Sequence, residues 1–504
     1  METTTRSELK LPNDLNYLRI VRNYVADLGA LAGLPQADID QLVLAADEAC
    51  TNTIEHAFEP GEKGSFTLRG EISPSTLTLS VQDQGLPFDP TLAPVYAQPM
   101  GKEIEEVSAS GLGLFLIRQA VDELQWVHHG REGKELRLVK HRCQTDVTEA
   151  LPPAEIAPFK EDEPLAPPQE YAIRRLRPED GIRVAQCLYR TYGTSYPNED
   201  LYYPERIASM NETGEMISVV AEDAAGQIVG HYALKRSGPE PVMESGQAVV
   251  APAHRGRKLM ERMRTFIEEE GKRVGLIGIF GEPVTSHIYS QRTIESFDSY
   301  PCGLSLGLAP RSIQFKKISS EPLAQRESCM IYFKHLTADP GPATVYLPPQ
   351  HQEILRRIYA GIGAPPTFCS PEVARSKAAG PGKVAVSFSR SFGIGLIQVK
   401  EIGADTAVEI LRARHDLCDL AGAEAVFLEL PLAQTGTPAL CTFAEEKGFF
   451  LSGIGPRFAP DGDVLRMQYL NSEIDTGLLK IYNPFGRELL AYIEKERARV
   501  GATD

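Results

Sequence analysis

The segment 145–169, TDVTEALPPAEIAPFKEDEPLAPPQ, constrains this chain more than any other feature. It holds Pro152, Pro153, Pro158, Pro164, Pro167 and Pro168 among acidic residues. Proline donates no backbone N–H and fixes φ, so neither a helix nor a central strand is expected to run through it. It reads as a semi-rigid spacer. It cuts off an N-terminal domain, residues 1–144, and leaves too many residues behind it for one small core. The 504 residues fit about three domains at roughly 100–200 residues each.

A faint internal repeat divides the remainder. GRKLMERMRTFIEEEGKR, helical in pattern, runs into the strand-like GLIGIFGEPVTSH, and DTAVEILRARHDLCDLA runs into AEAVFLELPLAQT. Pro283 and Pro431 close the two strand-like runs. The order of elements, more than identity, predicts two related units, 170–325 and 326–504, with a boundary near 320–326.

Composition excludes several classes. Hydrophobic residues at 42% and charged residues at 24% exclude a mostly disordered chain. The net charge of −16, from 52 basic and 68 acidic residues, argues against direct nucleic-acid binding and against anchoring on an anionic membrane. No run approaches the length of a transmembrane helix. METTTRSELKLPNDL lacks the apolar core of a secretion signal, so a cytoplasmic protein is expected. The eight cysteines include no CxxC pair. Reduced, mostly buried thiols are expected, not a disulfide framework or zinc knuckle.

In the first domain, 15–33 reads as an amphipathic helix with Leu18, Val21, Val25 and Leu28 on one stripe. Asp38 and Gln41 suggest a capping box opening a second helix over 39–57. SFTLRGEIS and TLTLSVQDQG read as paired strands, a Gly-rich segment leads to a third helix, and KELRLVKHRC closes as a strand. An α/β (α+β) sandwich with a largely antiparallel sheet follows.

Three chemical features punctuate it. Glu48 and Asn52 in DEACTNTIEHAF fall four apart, on one helix face, and offer hard oxygen atoms suited to Mg²⁺ or to accepting a proton, or simply a solvated face. Asp83 shares parity with Leu77, Leu79 and Val81, so its carboxylate turns inward, toward either an adenine amino group or an Asx turn before Gly85. Gly111 and Gly113 precede a helix, where bare backbone N–H groups suit phosphates.

Taken in order, these features resemble the Bergerat fold of the GHKL ATPases and kinases, and within it the serine-kinase anti-sigma factors. DEACTNTIEHAF resembles their asparagine box, DQGLPFDP their first glycine box and SGLGLFLI their second. The resemblance spans residues 10–143. It implies that Glu48 is the general base, Asn52 the Mg²⁺ ligand and Asp83 the adenine-reading carboxylate. Gly85, Gly111 and Gly113 would shape the ATP pocket and its lid, the latter over 86–110. It further implies a small anti-anti-sigma (STAS-type) protein or a sigma factor as partner, and a homodimer. The first histidine, His56, lies inside the asparagine box, so no upstream histidine is present to act as phosphoacceptor.

Beyond the spacer, ISVVAEDAAGQIVGHYALKR reads as a hairpin, and SGQAVVAPAHRGRKLMERM as a strand, a turn and a helix. This resembles the GNAT acetyltransferases. The resemblance implies acetyl-CoA contacts at Val250, Arg255, Gly256, Arg257 and Lys258, although Lys258 and Met260 stand where small residues are expected. Glu244 is the nearest candidate base, and His287 reads as structural. FAEEKGFFLSGIGPRF resembles the end of a second, degenerate GNAT fold without a pyrophosphate loop. NPFGRELLAYIEKERARV reads as an amphipathic closing helix that docks on a neighbouring domain. The readings left open are a serine/threonine kinase with an acyl-CoA sensor or acetyltransferase attached, an N-acetyltransferase regulated by an ATP domain, and a non-catalytic scaffold.

Overall fold

The computed structural model describes residues 5–58, 62–73, 76–85, 117, 119–129, 133–142, 145–159, 164–194, 196, 198–238, 240–311, 323–337, 344–363, 366–369 and 380–501. The N-terminal domain contains β1 (Thr5–Pro12), α1 (Leu18–Leu31), α2 (Gln36–His56), β2 (Ser65–Ile72), β3 (Thr76–Asp83), β4 (Glu123–His128) and β5 (Lys134–His141). Its antiparallel sheet runs β1–β2–β3–β5–β4, and both helices pack on one face. Helix α1 buries the predicted stripe Leu18, Val21, Val25 and Leu28. Helix α2 starts three residues earlier than expected, behind Pro35, with no side-chain cap. Asp38 lies inside its first turn and pairs instead with Lys140 at 3.2 Å. Strands β1 and β4 had no counterpart in the sequence reading.

The proline-rich segment is not a free spacer. Residues Val147–Ala150 form one helical turn, α3, capped by Asp146 before the first proline pair. Val147 and Ile156 are buried in the core of the following unit. The Phe159 N–H donates to Arg190 O (3.0 Å) and the Ala166 N–H to Ala253 O (2.7 Å). Apolar residues spaced among the prolines fasten the strap to its neighbour.

The middle unit contains β6 (Ala172–Arg175), α4 (Gly181–Tyr192), α5 (Pro204–Thr213), β7 (Met216–Glu222), β8 (Ile228–Lys235), β9 (Val242–Val250), α6 (Leu259–Arg273), β10 (Gly278–Gly281), α7 (Tyr289–Glu295), β11 (Tyr300–Ala309) and β12 (Glu327–His335). Strands β6 to β9 are antiparallel, while β10 runs parallel to β9 after the α6 crossover. Strand β12 pairs with both β10 and β11, so this unit continues past His335 and the expected boundary at 325 falls too early. The gap between the β11 and β12 sequences hid their pairing.

The last unit repeats the order with β13 (Thr344–Val345), α8 (Gln352–Ile362), β14 (Thr367–Phe368), β15 (Lys383–Ser389), β16 (Ile394–Glu401), α9 (Thr406–His415), β17 (Ala425–Pro431), α10 (Thr437–Glu445), β18 (Phe450–Ala459), β19 (Gly462–Leu470) and α11 (Pro484–Gly501). Again a hairpin, β15–β16, is followed by a helix and a parallel strand, β17, and then by antiparallel β19 and β18. The architecture is mixed α/β throughout. Among the described residues seventeen strands join in one sheet, because β11 meets β18 and β15 pairs with β4. Helix α11 buries Phe485, Leu489 and Ile493 in a core that also holds Leu304 and Met330, so it spans both C-terminal units as its amphipathic pattern suggested.

Among the described residues, all cysteines are free thiols. Cys441 lies near His351 and Glu445. The His351 ring nitrogens there are occupied by Tyr492 Oη (2.8 Å) and Glu445 Oε1 (2.6 Å), and burial pushes the thiol pKa up, so the cluster reads as a structural clasp on α11.

Candidate functional site

Small residues let α2 approach the sheet closely: Ala45, Ala46, Ala49 and Cys50 are buried on its inner face. The next residues, Asn52 and Thr53, line a pocket floored by Val81, Asp83 and Leu136. Asp83 ends β3 at 4% exposure. Its Oδ1 accepts the Gly85 N–H at 2.9 Å and pairs with Lys134 Nζ at 3.3 Å. The Asx turn is therefore present, and the carboxylate still borders the pocket. Burial pushes the Asp83 pKa up, opposed by Lys134 and the Gly85 N–H, while burial pushes that of Lys134 down. A Cβ on Gly85 would sit 1.9 Å from Ala57 O, so only glycine lets this turn lie against the end of α2.

Glu48 is half-buried one turn before Asn52 and is not among the residues lining the described pocket. Its pKa is raised, first by burial and then by the charges of Asp47 and Glu55. Gly111, Gly113 and the expected lid lie outside the described residues.

Lys134 and Trp126 at this pocket escaped the sequence reading. Lys134 is placed by register, directly opposite Asp83 in the β3–β5 ladder, and register between strands 50 residues apart leaves no local signal. Beside it Glu135, only 5% exposed, has its pKa held down at about 2; burial works against this, but hydrogen bonds from Arg137, His129 and Ser80 outweigh it.

In the middle unit the expected acyl-CoA loop is a real turn. Val250 ends β9, Gly256 has φ +73° and Lys258, the residue before α6, has φ +57°. Arg255, Gly256 and Lys258 are exposed. Arg257 instead turns back to donate to Ala166 O of the proline-rich strap. One of the three expected phosphate-facing cations is thus committed elsewhere. A left-handed non-glycine residue at Lys258 costs roughly 1–2 kcal/mol.

Glu244 does face a cavity, of about 750 Å³, which opens where β9 runs on past its pairing with β10. Burial, then the neighbouring Glu282 charge, raises its pKa to about 7, with Lys235 opposing. Glu282 and Glu327 also line this cavity and were not singled out from sequence. Glu327 Oε1 accepts the N–H groups of Thr285 and Ser286, each at 3.1 Å, while its buried Oε2 has no hydrogen-bond partner among the described residues. His287 is buried and accepts the Tyr289 N–H at 3.3 Å, in keeping with a structural role.

Residues 11–140, which carry this antiparallel sheet and the helix with Asn52, match the family model of the histidine kinase-like ATPase domain. The chain belongs to this family in its serine-protein kinase branch. It is 30% identical over 143 residues to the serine-protein kinase RsbW of Bacillus cereus, an alignment covering 28% of this chain and 88% of that protein. The RsbW of Bacillus anthracis is 29% identical over the same length. Among solved structures, an N-acetyltransferase from Staphylococcus aureus aligns with 33% of this chain and 99% of its own at 17% identity and a TM-score of 0.27. The ribosomal-protein-S5-alanine acetyltransferase of Vibrio fischeri aligns with 34% and 95% at 13% identity and 0.26. Among the described residues no helix is long and apolar enough to cross a membrane.

Proposed function

We propose that the N-terminal domain binds Mg·ATP and phosphorylates a seryl or threonyl hydroxyl on a small regulatory protein. The observation that carries this is the meeting of Asn52 and the buried Asp83 in one pocket, with the Gly85 N–H bonded to Asp83 Oδ1. Asn52 would hold the Mg²⁺ through its amide oxygen, and Asp83 would accept the adenine amino group. ATP supplies the transferable phosphoryl group, and the metal neutralises its charge. Glu48 would take the hydroxyl proton of the acceptor, and its raised pKa strengthens it as a base. The serine-protein kinase relatives support a protein acceptor. We assign the partner to a STAS-type antagonist or a sigma factor, in a cytoplasmic regulatory circuit. A homodimer through this domain would use the β1 edge or the helical face, because β15 already covers the β4 edge.

The middle unit, about 170–337, fits a weak acyl-CoA sensor, and the strapped loop supports that reading. Glu244, poised near neutrality in its cavity, favours N-acetyl transfer as the alternative. Asn52→Ala with Mg·ATP in a phosphotransfer and thermal-shift assay tests the kinase reading. Loss of binding and turnover with an unchanged fold is expected, since alanine is a good helix former. Wild-type affinity in that variant would refute it.

A further inference from the structure

We propose that the last unit forms one wall of the nucleotide site, with Arg412 contacting the anionic part of the bound nucleotide. The inference rests on the nucleotide reading above and adds residues that no stand-alone N-terminal domain possesses.

Three observations converge. First, β15 continues the N-terminal sheet: Ala385 to Ser389 pair antiparallel with Val127 to Glu123. Second, Val386 and Phe388 stand opposite Trp126 and Leu124, so their apolar face joins the face that α2 covers. Trp126 accordingly packs against both hydrophobic cores. Third, Arg390 in the β15–β16 turn reaches back to Gln119, donating to its carbonyl oxygen (3.1 Å) and Oε1 (2.9 Å). The helix after β16, α9, lies on the same side as α2, since residues of both line one pocket. Val386, Glu409, Arg412 and Ala413 line the pocket that also holds Asn52 and Asp83.

The charges decide what this wall does. Lys134 is paired with Asp83. Arg412 is the cation that α9 brings to the pocket, and it is tied at 2.8 Å to Glu409, a residue on the same helix. A phosphate group can take the place of that carboxylate and accept two parallel N–H bonds from the guanidinium fork. Glu409 and Asp416, which also line the pocket, repel the same anion. Arg412 and Glu409 should therefore act with opposite sign on nucleotide affinity, which a purely structural helix would not do.

The chain contains one tryptophan, and it is Trp126, at the pocket wall. Its emission reports Mg·ATP binding in the full-length protein without a label. We expect the ATP midpoint to rise at least tenfold in Arg412→Ala and to fall several-fold in Glu409→Gln. Hydrogen exchange on the unmodified protein should slow at 406–416 as well as at 49–57 when Mg·ATP is added. An unchanged midpoint in a folded Arg412→Ala, or unchanged exchange at 406–416 while 49–57 is protected, overturns the proposal. Absence of any ATP binding by the wild type refutes the nucleotide reading itself and removes this one with it.

Discussion

Gly303 and Gly453 face one another where the sheets of the two C-terminal units join, and the Gly453 position has no room for a side chain. A Cβ on Gly453 would lie 2.4 Å from both Cys302 O and Gly303 Cα. Ser452 Oγ donates to Leu304 O at 2.7 Å and Gln468 Oε1 accepts the Leu306 N–H at 3.0 Å, so the crossing is fixed from both sides.

Gly453→Ala should therefore destabilise the protein by about 2–4 kcal/mol, combining overpacking with the strain of an alanine at φ +140°. Gly256→Ala is the control: its φ is +73° but an added Cβ meets nothing within 4 Å. It should cost only about 1–2 kcal/mol. Urea midpoints of the two variants measure the difference, and equal losses would show that the crossing relaxes.

Asp83→Asn should weaken ATP by about 1–3 kcal/mol, because an amide N–H₂ would face the adenine amino group, donor against donor. Inosine triphosphate, whose ring presents a carbonyl at that position, should lose less. Titration of both nucleotides checks this. A uniform loss would mean that the variant acts only by releasing Lys134 and the Gly85 turn.

Glu244 carries a pH dependence whose sign is fixed by burial. Its pKa moves from an ordinary 4.5 to about 7 in the fold, so the folded state holds a proton that the unfolded chain has already lost. Stability is then lost as pH rises from about 4.5 to about 7, by roughly 3 kcal/mol. Glu244→Gln should remove that slope and gain melting temperature over wild type at pH 8. Parallel melting curves from pH 5 to 8 would remove Glu244 as the cause.

Lys258→Gly should relieve a left-handed backbone at φ +57° and stabilise the fold by about 1 kcal/mol. It should also improve acetyl-CoA binding by uncovering the backbone at the α6 N-terminus. Calorimetry on the full chain tests the second effect, which submicromolar binding by the wild type would contradict.

Sequence alone determined what depends on neighbours along the chain. The stripe of α1, the run of small residues in α2, the parity that turns Asp83 inward and the repeated helix-to-strand order are all local patterns, set by periods of 3.6 and 2. The Asp83–Gly85 turn was legible for the same reason, since both its partners lie within three residues. The opposition of Lys134 to Asp83, the burial of Glu244 beside Glu282, the membership of β12 in the middle unit and the pairing of β15 with β4 were decided only by tertiary structure. Each is a register between segments tens to hundreds of residues apart. Backbone hydrogen bonding is the same for every residue type, so no local pattern records which strand edges meet. That meeting placed Arg412 at the pocket that Asn52 and Asp83 also line.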